Sequence, residues 1–113
     1  MNVKYKTVGD VVVVVAKGKL MGGPETNACH VKIKNLIAEG YKKVVVDMTH
    51  VDWVNSMGIG MMIACYTSCK NAGGHFKIAG PSEKTISILD MTKLSTVFKW
   101  YDNVEQAIAS YQQ

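Results

Sequence analysis

The sequence contains no arginine: its 13 basic residues are all lysine, and set against 9 acids they leave a formal net charge of +4. Bidentate recognition of phosphate or guanine leans on the guanidinium fork, so the commonest route to reading a nucleic acid is missing. The lysines are also dispersed, with no run longer than Lys42-Lys43. Dispersed lysines read as a solvated surface, and no direct nucleic-acid partner is expected. Proline (2) and glycine (10) are too few for collagen-like or low-complexity chains. The three cysteines, Cys29, Cys65 and Cys69, cannot all pair within one chain. No apolar stretch of leader length accompanies Lys4 and Lys6. Together these features lead us to expect a reducing, cytoplasmic setting. The longest apolar run, Met57 to Tyr66, has ten residues including two glycines, about half a membrane span, so no crossing is expected.

What is present is an ordinary globular composition, 48% hydrophobic and 19% charged over 113 residues. A chain of this size makes one domain, here residues 1–113, and buries about two-thirds of its unfolded surface without help from a disulfide or metal. Val3 to Thr7 and the β-branched run Val11 to Ala16, separated by Gly9-Asp10, read as an antiparallel hairpin. Gly18 to Gly23 reads as a loop, and Pro24 suits the first position of a helix that Gly40 stops near Glu39. Cys29, Ile33, Leu36 and Ile37 share one face of that helix, and Val31 falls off it. Lys43 to Met48 is a second buried strand. Thr49 to Asn55 follows as a loop, and Ser56 opens an apolar helix ending near Gly73-Gly74. His75 to Ala79 is a third core strand, Ser82 caps a helix to Met91, and Thr96 to Lys99 reads as a short edge strand. Asp102 with Glu105 has capping-box spacing for a last helix to Tyr111. Strands alternating with helices imply right-handed crossovers and a mixed α/β sheet of four to five strands.

Catalytic signatures are weak. Gly58-Ile59-Gly60 could open a dinucleotide fingerprint, but Ile63 stands where the third glycine belongs and Ile78 where an acid should follow. No Gly-Lys-Ser or Gly-Lys-Thr sequence occurs, which excludes a P-loop. Cys65 and Cys69 sit inside an apolar helix, where free cysteine packs as a small hydrophobe; His30, His50 and His75 are scattered, so no metal, cofactor or catalytic residue is assigned. Ser56 is different. It stands at the cap position of its helix, where its hydroxyl would accept an early N–H. A phosphate there would face the positive end of the helix dipole and add about two negative charges. Gly58 and Gly60 would leave room for an approaching group.

Val54-Asn55-Ser56-Met57-Gly58-Ile59-Gly60 resembles the I-D-S-S-G-L-G segment of anti-sigma factor antagonists, the bacterial STAS-domain proteins. Gly18-Lys19-Leu20 sits where that family has G-E-L, and Gly73-Gly74, strand and Pro81 follow in the family's order. Met91 to Phe98 is similar to its L-T-G-L-x-x-L-F stretch. The resemblance runs along nearly the whole chain and implies a single STAS domain, with helices mainly on one face of the sheet. It implies a non-catalytic protein that binds a cognate anti-sigma factor of the histidine-kinase-like ATPase class. Phosphorylation at Ser56 by that partner would switch the binding off, a PP2C-type phosphatase would restore it, and sigma-factor-dependent transcription would follow. The expected partner-binding residues are Met21, Gly22, Gly23, Asn55, Ser56, Met57, Gly58 and Gly60, on a monomer or weak dimer. The sequence departs from the family in carrying Asn55 for the aspartate before the serine, Met57 for the second serine, and Met21 for the aspartate after G-x-L. Met21, Met57 and Val31 are accordingly expected to give an apolar docking patch. The alternative is a STAS adaptor in a signalling or lipid-transport assembly that works without phosphorylation.

Overall fold

The structure, a computed structural model, describes residues 3–112. Five strands form one sheet in the order β1 (Tyr5–Val8), β2 (Val11–Leu20), β3 (Lys43–Val54), β4 (His75–Ala79) and β5 (Lys99–Tyr101). β1 pairs antiparallel with β2 across the Gly9-Asp10 turn, and all other pairs are parallel. The connecting helices are α1 (Pro24–Ala38), α2 (Ser56–Asn71) and α3 (Glu83–Met91), and α4 (Val104–Ser110) follows β5.

Sheet order equals chain order, so every parallel crossover steps in the same direction. Right-handed crossovers that all step one way must place their helices on one face. The packing agrees. Cys29, Ile33 and Leu36 of α1, Met62 and Cys65 of α2 and Leu89 of α3 share a core with Val12, Val14, Val44, Val46 and Ile78. The alternate residues of the same strands, Val11, Val13, Val45 and Ala79, face Ala107 of α4. Because β2 and β3 are covered on both faces, they tolerate unbroken valine runs, and Val11 to Val14 are at most 1% exposed. Gly40 ends α1 in the left-handed region (φ +104), as its position after the last periodic residue anticipates.

Several boundaries move. The first strand is Tyr5–Val8, not Val3 to Thr7, and α1 ends at Ala38 with Glu39 as its C-cap. β2 and β3 continue well past the expected Ala16 and Met48, so Gly18 to Leu20 and Thr49 to Val54 are strand. Register shifts between Val15 and Lys17 and between Gly18 and Lys19 break the alternation there, which hides the strands from a period-two reading. The last strand is Lys99–Tyr101; a single 3₁₀ turn occupies Leu94–Thr96. The α4 cap is Asn103, whose side chain accepts from the Gln106 N–H at 2.9 Å, where Asp102 was expected.

Candidate functional site

β2 and β3 end side by side, with Leu20 in register with Val54. Asn55 follows in extended conformation (φ −118, ψ −170), and its N–H donates to the Leu20 carbonyl at 3.3 Å. Its Oδ1 accepts from the N–H groups of Met57 (2.9 Å) and Gly58 (3.2 Å), while its carbonyl accepts the first helical bond from Ile59 (3.0 Å). Asn55 is therefore the N-cap and Ser56 the first residue of α2, which corrects the expectation that Ser56 caps. Asparagine and serine cap equally well; the length of β3 decides between them. The Ser56 side chain is exposed and has no hydrogen-bond partner among the described residues.

This division of labour predicts a stability difference between neighbours. Asn55→Ala is expected to cost about 1 kcal/mol, as losing a helix cap does, whereas Ser56→Ala should stay within about 0.5 kcal/mol of the parent. Urea unfolding of both variants checks this, and equal costs would contradict the cap assignment.

The first turn of α2 carries no acid, so the positive end of its dipole is unbalanced. A phosphoryl group on Ser56 would sit at that end. Beside it, Gly22 (φ +92) lies so close to Met57 that a Cβ at Gly22 would come within 2.6 Å of the Met57 Sδ. Met21 and Asn55, each one residue beyond a paired strand end, flank the same spot. Met57 and Met21 are 61% and 42% exposed. The structure thus gathers the expected Met21, Gly22, Gly23, Asn55, Ser56 and Met57 at one pole of the sheet. Val31 is exposed and lines a hollow with Pro24 and Asn27, and Asn27 also borders the groove beside Met57.

The two glycines of the motif have different jobs. Gly58 is buried, and a Cβ there would overlap the Leu20 carbonyl. Gly60 is exposed with open space around it, on a shallow groove between α1 and α2 that is also lined by Thr26, Asn27, His30 and Met61. The sequence suggests His30 only as a candidate metal ligand and does not point to Asn27, because it is the α1–α2 packing that brings both beside the motif. Trp53, half-exposed near the end of β3 and two residues before Asn55, has its ring 4.2 Å from the Lys84 ammonium.

The cysteines belong to the core. Cys29, Cys65 and Cys69 are buried, and burial pushes the Cys29 and Cys69 thiols up to about 11 and the Cys65 thiol higher still. They stay protonated at neutral pH, unlike reactive thiolates. Among the described residues no three His, Cys, Asp or Glu side chains converge as metal ligands, and no helix is long and apolar enough to cross a membrane.

Comparison with known proteins matches this arrangement. A STAS domain family model covers residues 2–107. A Thermotoga maritima protein named "Putative anti-sigma factor antagonist" is 29% identical over 110 residues, 92% of each chain. The crystal structure of a T. maritima protein of that description superposes with a TM-score of 0.89, at 24% identity over 98% of this chain and 95% of that one. The Bacillus cell fate determinant SpoIIAA in its phosphorylated form has the same fold, with a TM-score of 0.76 at 17% identity over 97% of this chain and 99% of its own. With the family pattern running through all five strands and α1 to α3, and into α4, the chain belongs to the STAS domain family.

Proposed function

We propose that this protein is an anti-sigma factor antagonist switched at Ser56. In its unphosphorylated form it binds an anti-sigma factor that is also a serine kinase of the histidine-kinase-like ATPase class, freeing the sigma factor for transcription. Phosphorylation of Ser56 ends that binding, and a PP2C-type phosphatase reverses it. The protein catalyses nothing; it is its partner's ligand and substrate. The observation that carries this reading is the exposed Ser56 hydroxyl at the first position of α2, without a hydrogen-bond partner among the described residues. Because Asn55 performs the capping, the hydroxyl can be modified without loss of a structural bond. The helix end it occupies favours negative charge, so the phosphorylated domain stays folded. The names of the Thermotoga relatives and the phosphorylated form of SpoIIAA support the same reading.

A capture experiment from host lysate tests it, with Ser56→Ala and Ser56→Glu proteins as bait. The Ala bait is expected to retain a histidine-kinase-like ATPase that the Glu bait loses. Equal retention by both baits would instead make the domain a constitutive adaptor.

Around Ser56, Met57 and Met21 present thioethers where the family carries a hydroxyl and a carboxylate, so docking here is apolar rather than steered by acids. Met57→Lys should weaken binding of the captured partner at least tenfold with an unchanged melting temperature. Unchanged affinity would remove Met57 from the interface.

A further inference from the structure

Four lysines far apart in the sequence meet at the pole opposite Ser56. β3, β4 and β5 run parallel and begin at Lys43, His75 and Lys99, and the register sets Lys43 beside His75 and Lys77 beside Lys99. Helices return antiparallel to the strands they follow, so the end of α2 delivers Lys70 and the end of α4 delivers Ser110 and Tyr111 to the same place. These groups line a cleft of about 460 Å³. Among the described residues, no carboxylate lines it.

The cations in the cleft are not equivalent. Lys43 is drawn toward Asp10 at 2.8 Å. Lys77 is half-buried; its Nζ donates to the Ser110 Oγ at 2.7 Å and lies 4.2 Å from the Tyr111 ring centroid, which holds the ammonium at a fixed point in the cleft. Lys70 and Lys99 are exposed, with no salt-bridge partner among the described residues. Ordinary structural roles account for part of this. Lys70 in the last turn of α2 balances the helix dipole, and Lys99 on the edge strand discourages edge-to-edge pairing. Lys77 is seated by Ser110 and by the rings of Tyr111 and Tyr101, the latter at 5.5 Å, and these contacts hold a cation on an internal strand directly opposite Lys99, where like charges repel.

We propose that this cleft docks an acidic peptide segment of a partner protein, with carboxylates bridging Lys70, Lys77 and Lys99. A nucleic acid fits the cleft less well. Single strands need open aromatic faces for base stacking. Here Lys70 lies over the Tyr66 ring at 5.7 Å and Lys77 over Tyr111, and there is no arginine to read phosphate. Since β3 spans the sheet from this cleft to Asn55, the two sites occupy opposite poles, and one molecule can hold two partners at once.

The test is an amide-shift NMR titration of the full chain with an acetylated octaglutamate peptide at low ionic strength. Shifts should concentrate on residues lining the cleft. The double variant Lys70→Glu/Lys99→Glu should bind at least tenfold more weakly, whereas Lys6→Glu/Lys34→Glu, with the same net charge elsewhere, should change affinity less than threefold. Should the first variant fail to fold, Lys70→Gln/Lys99→Gln carries the comparison, with at least a threefold loss expected. Equal weakening by the control pair, or shifts away from the cleft, would overturn the proposal. Tighter binding of an eight-nucleotide thymidine strand in the cleft would also overturn it, in favour of a nucleic-acid surface.

Discussion

Gly58→Ala should destabilise the domain by about 3 kcal/mol, whereas the same change at Gly60 should stabilise it by about 0.5–1 kcal/mol. The two positions are one residue apart in the motif, and alanine is the better helix former at both. At Gly58 the new methyl would run into the Leu20 carbonyl, a backbone atom held in place by β2–β3 pairing and by the Asn55 N–H. Such an atom cannot rotate away, so either the helix start lifts off the sheet or the strand end shifts, the kind of overpacking that costs about 1–3 kcal/mol. At Gly60 nothing stands within 4 Å, and only the entropy gain of alanine remains. A difference of that size separates the melting temperatures by more than about 10 °C in a domain of this length. The Gly60 variant also probes function: the added methyl projects into the groove beside Met57, so a more stable protein that binds its partner less well would identify the groove as part of the interface. Equal melting temperatures for the two variants would contradict the packing described here.

Phosphorylation of Ser56 should weaken the complex with the captured partner at least about 100-fold while leaving the melting temperature of the free domain unchanged or raised. The signs differ because the two surroundings differ. In the free domain the phosphate is solvated and sits at the positive end of α2, which favours it by about 0.3–1 kcal/mol. In the complex, roughly two negative charges would be pressed against a surface built around exposed methionines, and desolvating them costs several kcal/mol. Calorimetric titration and thermal melting of the phosphorylated protein measure the two effects separately. A loss of affinity accompanied by a comparable loss of stability would mean that phosphate disrupts the domain rather than the interface. Asn55 enters here as well. In Asn55→Asp the carboxylate would cap at least as well as the amide and would compete with the phosphate for the same helix end.

Much of this arrangement was legible in the residues. The valine runs of β2 and β3, Pro24 and Gly40 bounding α1, and Ser82 capping α3 behave as their local chemistry dictates. The pole carrying Ser56 could be placed because a glycine-bearing motif between a strand and an apolar helix has few other homes. What sequence could not decide has physical causes. Asn55 beside Ser56, and Asp102 beside Asn103, are pairs of adjacent competent caps, and only the end of the preceding strand or turn selects one. The extensions of β2 and β3 escape because bulges and solvent-facing polar residues such as Lys17, His50 and Asp52 erase the alternation. β5 is three residues long and carries too little pattern to be located. Gly58 and Gly60 look alike in sequence, and only the Leu20 carbonyl tells them apart. The lysine cleft is the largest omission. Lys43, Lys70, Lys77 and Lys99 are scattered along the chain, and their convergence depends on strand register and on the antiparallel return of α2.

Mapping the phosphorylated residue decides whether the switch proposed at Ser56 exists. The purified protein and its Ser56→Ala variant would be incubated with the captured partner and ATP, then digested and sequenced by mass spectrometry. One phosphoryl group is expected, on Ser56, absent from the variant and accompanied by release of the partner. Phosphate on another residue, or none at all with the partner still bound, would contradict the proposed switch.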